Sequence, residues 1–311
     1  MIKRVLLGGS LLVLLGAVVA LALSFSAERL PLVGAEPIFE IPPPTATQGV
    51  TLHAIPAGSM ESTAGMAYRG GSLTEKRAFG MGGILVRHPQ GDVLFDTGFG
   101  KDVDQHIKTI PLLMRLTSSY TKGPTVAEQL VAGGYDLKRL SGVIITHAHW
   151  DHVSGLPDLG ASVILSKEEE AFIESGDEAT TLIRSLPGVR YEPYNYLHGA
   201  YLGFEPSLDY YGDGSIVLVP VPGHTPGSII AFVNTSDGKR YALIGDLVWQ
   251  KEGVDLPAER PWISRRLVDK DPEQVRAAIV HMHRLQKQLP DLIVVPAHDQ
   301  RVWEQLPRFP G

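Results

Sequence analysis

The sequence predicts an α/β fold in which two β-sheets pack face to face with helices on the outside. Three observations carry this. The apolar runs are short, rich in Val and Ile and bounded by Gly, Pro and Asp, as strands are. They fall in two batches, with helical patterns between and after them. The composition, 44% apolar and 20% charged over 311 residues, suits a chain that buries a substantial core.

In order along the chain, strands are expected at residues 50–55, 82–86, 92–95, 143–146 and 162–165, then at 216–221, 229–234, 241–244 and 292–295. Helices are expected at 125–132, 167–175 and 272–289. The last begins clearly: Asp271 stands at the N-cap, Pro272 in the first turn, and Gln274 where a capping box needs it. These elements form one catalytic domain, residues 50–311. Residues 28–49 are proline-rich and read as a tether. The segment 100–123, with the apolar patch Ile110-Pro111-Leu112-Leu113-Met114, is long enough to be a lid, or to pack on the sheet or on a second copy in a homodimer.

Residues 1–27 carry a compartment signal. Lys3 and Arg4 precede an uncharged run from Val5 to Ala27, long enough to cross a bilayer as an apolar helix. Ser24 and Ser26 would equally permit cleavage, so signal anchor and signal peptide both fit. Positive charge stays inside, which places the remainder in the cell envelope, membrane-anchored outside the cytoplasm or exported. A net charge of -6 with no basic run after residue 4 argues against a nucleic-acid partner. With no cysteine, any metal site must use His and carboxylates, which suits zinc, iron or manganese.

Such residues cluster densely. His147, His149, Asp151 and His152 follow directly on the strand ending near Ile145. In extended chain His147 and His149 point to one side and reach one ion together, while Asp151 and His152 come where the chain turns and can address a second. His224, Asp246 and His298 each follow a predicted strand, on loops where functional residues are often carried. His281 and His283 lie mid-helix and point apart, suiting surface or interface positions. His53, His88, His106 and His198 show no partner pattern.

His-x-His-x-Asp-His at 147–152, Gly-His-Thr-Pro-Gly at 223–227, Gly245-Asp246 and the strand-ending His298 together resemble the metallo-β-lactamase superfamily, over nearly everything from Val50 onward. The layout, including Gly134-Tyr135-Asp136-Leu137, is most similar to the N-acyl homoserine lactonase-like branch. The resemblance implies an αββα sandwich with a dinuclear site at its edge. It implies that His147, His149 and His224 hold the first metal, that Asp151, His152 and His298 hold the second, and that Asp246 bridges them. Asp96, in Leu94-Phe95-Asp96-Thr97-Gly98, matches the superfamily's early aspartate behind the ligands. One departure stands out: Trp249 occupies the place where some of these lactonases have a tyrosine.

Apolar-Asp-Thr-Gly also surrounds aspartic-protease carboxylates, but those work in pairs and only one copy occurs here. Two divalent ions, zinc foremost, would share a hydroxide able to attack a small ester, lactone or related acyl substrate without a side-chain nucleophile. Asp151 would orient that hydroxide and pass its proton to the leaving group. Alternatives on the same fold are a di-iron redox protein, which His149 disfavours, and a thioesterase or phosphodiesterase.

Overall fold

The computed structural model describes residues 16–34, 36–43 and 47–310. Among the described residues twelve strands form two sheets. The first has seven, β1 (Thr51–Thr63), β2 (Lys76–Arg87), β3 (Asp92–Phe95), β4 (Ser119–Lys122), β5 (Leu140–Ile144), β6 (Val163–Ser166) and β7 (Tyr191–Tyr194), in the order β4-β1-β2-β3-β5-β6-β7. The second has five, β8 (Leu208–Asp209), β9 (Ile216–Pro220), β10 (Ile229–Asn234), β11 (Arg240–Leu243) and β12 (Leu292–Val295), in the order β12-β11-β10-β9-β8.

Alternation along the strands divides the core into three layers, because successive side chains leave opposite faces. Leu52, Ala54, Ile84, Val86 and Phe95 meet Leu218, Ala231, Val233 and Leu243 between the sheets. On the outer face of the first sheet Leu85, Leu94, Val143 and Leu165 pack against Leu130, Ile173 and Ile183 from helices. On the outer face of the second, Val219, Ile230, Phe232 and Val294 receive Val275, Ile279, Met282 and Leu285 from the helix Pro272–Gln288. The architecture is therefore an αββα sandwich.

Every expected strand and all three expected helices form, and the differences have physical causes. β1 runs on to Thr63, past Pro56 and Gly58, because a bulge between those residues absorbs the irregularity. Gly58 (φ +143°) is required there, since a Cβ would lie 2.5 Å from the Thr121 oxygen. Segment 100–123 contains the helix Leu112–Thr117 and the strand β4, which pairs with β1. Asp271 caps its helix through the Glu273 and Gln274 amides, but the Gln274 amide donates to the Asp271 carboxylate, so no reciprocal capping box forms. The full box is at Thr125 and Glu128.

The apolar membrane-directed helix expected over residues 1–27 finds no support: among the described residues no helix is long and apolar enough to cross a membrane. Residues 1–15 lie outside the described residues, and a helix covers residues 16–24. The stretch read as a tether runs along the domain. Phe39 is buried against Leu202-Gly203 and His281, and Gln288 accepts from the Phe39 amide and donates to the Pro37 carbonyl.

Candidate metal centre

Strand direction gathers the site. β3 and β5 are parallel, β11 and β12 are parallel, and β9 runs in the same sense as β11 across the antiparallel β10. Their carboxyl ends consequently share one edge of the sandwich. Asp96 follows β3, His147 to His152 follow β5, His224 follows β9, Asp246 follows β11 and His298 follows β12.

The ligand-type atoms of His147, His149 and His224 lie within 4.8 Å of one another, as do those of Asp151, His152 and His298, and those of His147, His152 and Asp246. Asp246 straddles the two triads. Its Oδ1 is 2.9 Å from His298 Nε2 and 3.3 Å from His152 Nε2, while its Oδ2 is 3.5 Å from His224 Nε2. Asp151 reaches His298 Nε2 at 3.4 Å. All eight residues singled out in the sequence, Asp96 included, meet at this edge.

The imidazoles are held from behind. His152 Nδ1 is 2.8 Å from Asp96 Oδ2, His224 Nδ1 is 2.8 Å from Asp269 Oδ1, and His298 Nδ1 is 2.9 Å from the Gly80 carbonyl oxygen. With Nδ1–H donating, each ring turns an Nε2 lone pair inward. Asp96 adopts a left-handed backbone (φ +54°) that lets it accept also from the Thr146 amide and hydroxyl. It faces a histidine and a threonine, not a twin carboxylate, so the protease pattern has no counterpart here.

The buried Nε2 atoms of His149, His152 and His298 and Oδ1 of Asp246 have no hydrogen-bond partner among the described residues. Orphaned acceptors this close together are costly unless something positive lies between them. Burial and the adjoining His152 and His224 rings push His147 well below the usual histidine range; burial and His224 do the same for His149. Both are thereby kept in the neutral, ligating form. Burial disfavours a charged His152, yet the Asp96 and Asp246 carboxylates outweigh it and raise its proton affinity well above normal. Burial likewise opposes the charge on Asp246, but His298 and His152 hold it well below the carboxylate range. The donor set and its field fit divalent cations.

Three residues that the sequence did not single out, Asp269, Arg260 and Glu169, support the cluster together with Trp249. Asp269 orients His224 and is gripped by the buried Arg260, 3.0 Å away, whose guanidinium also bonds the Asp246 carbonyl and stacks 4.7 Å from the Trp249 ring centre. Glu169, almost fully buried, accepts from the Ala148 amide (2.6 Å), the Thr225 hydroxyl (2.7 Å) and the Gly227 amide (3.0 Å), joining the loop of His147 and His149 to the loop of His224. Trp249 donates its indole N–H to Asp246 Oδ2 at 2.7 Å.

The other histidines lie apart from the cluster. His283 is buried, bonded to the Val254 carbonyl, and His281 bonds the Leu202 carbonyl between Phe39 and Phe204, so both serve the packing of their helix rather than a surface. His88 stacks on Tyr211 at 3.8 Å and pairs with Asp213.

A cavity of about 470 Å³ opens beside His149, Asp151, Asp246 and His298. Its walls include Met60, Met66, Met81, Ile110, Met114 and Leu267, four of the six methionines of the chain among them.

The sequence pattern described as the metallo-beta-lactamase superfamily matches residues 84–298. The chain belongs to that superfamily. A probable metallo-hydrolase of Mycobacterium tuberculosis is 30% identical over 242 residues, covering 71% of this chain and 75% of the relative. An N-acyl homoserine lactonase of Agrobacterium fabrum is 24% identical over 235 residues, covering 73% of this chain and 84% of the relative. Among solved structures, an N-acyl homoserine lactone hydrolase with N-hexanoyl-L-homoserine bound at its metal centre superposes with a TM-score of 0.65 at 18% identity, over 85% of this chain and 98% of that one. This metallo-beta-lactamase superfamily member is a metallo-hydrolase whose histidines and aspartates are positioned for metal binding.

Proposed function

We propose that this superfamily member is a two-metal hydrolase of a lactone or ester with an apolar acyl part. One observation carries the reading: two ligand triads flank a shared Asp246 at the wall of a cavity to which four methionines contribute. His147, His149 and His224 would hold one ion and Asp151, His152 and His298 the other, with the Asp246 carboxylate between them. Two divalent ions, zinc foremost, would supply an activated water near neutral pH and polarise the scissile carbonyl.

The chain's own residues do the rest. Asp96, Asp269 and the Gly80 carbonyl fix the rings so that no reorganisation accompanies binding. Asp151, 13% exposed at its side chain and bordering the cavity, is placed to carry a proton to the leaving oxygen. The methionine-rich wall adapts to an acyl chain, since Met fills irregular space at little cost. The sequence of residues 1–27 supports a domain that works outside the cytoplasm, either anchored at the membrane or exported after cleavage.

Metal analysis with a panel of lactones, aryl esters, thioesters, phosphodiesters and a β-lactam tests this. Two equivalents of metal per chain are expected, one of them lost in His152→Ala; a single equivalent unaffected by that change would sink the dinuclear assignment. Asp151→Asn is expected to lower kcat on the preferred lactone or ester by ~100-fold. Wild-type turnover in that variant would remove Asp151 from proton transfer.

A further inference from the structure

Residues 16–23, Gly-Ala-Val-Val-Ala-Leu-Ala-Leu, are apolar on every side of their helix and all exposed, with Val18, Val19 and Leu23 at 56%, 48% and 59%. A helix apolar all round has no stable place in water. Among the described residues nothing covers it, and it meets the domain at its end. There Ser24 Oγ accepts from the Trp262 amide at 2.9 Å, the Leu23 carbonyl from the Arg69 guanidinium, and the Phe25 carbonyl from the Gly70 amide.

Those docking elements are walls of the metal cavity. Met66 comes from the helix before Arg69, and Ser264, Leu267 and Val268 come from the helix Trp262–Val268. Another part of the cavity wall is Pro111, Met114 and Thr117, from the helix Leu112–Thr117 and its N-cap. The outward sides of the same two helices also expose large apolar side chains, beside Arg115 and Arg266. Leu112, Leu113 and Leu116 are 60%, 38% and 74% exposed and Trp262 is 50% exposed; among described residues from 50 onward, only Leu73, Val131 and Leu197 join them as large exposed apolar side chains. Exposed apolar surface is therefore gathered around the cavity, where the apolar helix joins. Trp262, with the Arg266 guanidinium 5.9 Å from its ring, combines an apolar body with a cation suited to lipid phosphates.

We propose that the cavity rim, formed by Leu112, Leu113, Leu116 and Trp262, rests on the bilayer that takes the N-terminal segment, so that an amphiphilic substrate passes from lipid to the metal cluster. The lipid surface is favoured over a second copy because the helix over residues 16–24 already needs a lipid environment and ends beside Trp262. The substrate part of this inference rests on the hydrolase reading above; the lipid-facing rim does not.

The absence of cysteine allows a single spin label at a chosen site. Full-length chain carrying Leu116→Cys, and separately Leu197→Cys, is placed in phosphatidylcholine–phosphatidylglycerol bilayers. Oxygen, concentrated in lipid, should relax the label at 116 more than a water-soluble nickel chelate does, with the reverse order at 197. Equal chelate access at both positions overturns the proposal. So does spin–spin broadening between 116 labels on different chains, which would mean a second copy covers the rim. In the same bilayers Leu112→Ser with Leu116→Ser should lower kcat/KM for a long-chain, lipid-dissolved ester by about tenfold through lost apolar burial, leaving a short water-soluble ester unchanged. An unchanged long-chain rate removes the delivery role. If no ester is cleaved at all, the hydrolase reading fails while the label measurement still decides the rim.

Discussion

Asp269 and Asp96 do similar work at the two ends of the cluster, yet only one was legible. Asp96 sits in an Asp-Thr-Gly motif directly after a strand, whereas Asp269 lies in an ordinary charged stretch before a helix and meets His224 only through the fold. No local pattern records a contact between residues 45 positions apart in sequence. The same holds for Arg260, whose role exists only because Asp269, the Asp246 carbonyl and the Trp249 ring surround it. Removing the charge behind a ligand histidine commonly costs ~10–100-fold in metal affinity. Asp269→Asn should show a loss of that size at one of two sites when competed against a chromophoric chelator; uniform retention of both ions would show that His224 needs no orientation. Trp249 was legible as a position but not as a role. Its indole N–H answers a buried carboxylate oxygen that would otherwise lack a donor.

Between elements, the tie that matters most is Glu169. It sits on the first turn of the helix Lys167–Glu174, whose cap Ser166 donates to the Gly227 carbonyl while accepting from the Glu169 amide. Burial raises Glu169 to about 7, although three donors oppose the shift. The folded chain thus keeps this proton to higher pH than the unfolded chain, for which 4.5 is the ordinary value. Its contribution is fully present below that value and fades as pH climbs through about 7. The stability of wild type minus that of Glu169→Gln, from urea unfolding of metal-free protein at pH 4.5 to 8, should accordingly fall with rising pH; a flat difference would contradict it. In sequence this glutamate was one of three in a row, with nothing to distinguish it. Element type was legible wherever the apolar period ran unbroken. It was lost for β4, β7 and β8, which are short and partly polar, because their strand character comes from pairing with a neighbour.

At the scale of the molecule, the sandwich was legible because two batches of strands leave few ways to bury both faces. The shared edge was not, since strand order depends on crossovers that no local stretch encodes. That order divides the ligands. The first sheet supplies His147, His149, Asp151 and His152, and the second supplies His224, Asp246 and His298. Metal should hence bind the assembled sandwich and not the open chain. Stripping it with a chelator should lower the midpoint of a single calorimetric transition, by an amount equivalent to ~3 kcal/mol when free metal stands near 100-fold above Kd. An unmoved midpoint would mean that the two sheets do not need the ions.

Each triad borrows from both sheets, so neither half of the chain can close a three-ligand site before the other has docked. Capture of an ion would then require that both sheets had already docked. The metal carried would then be drawn from the ions present where the two sheets meet.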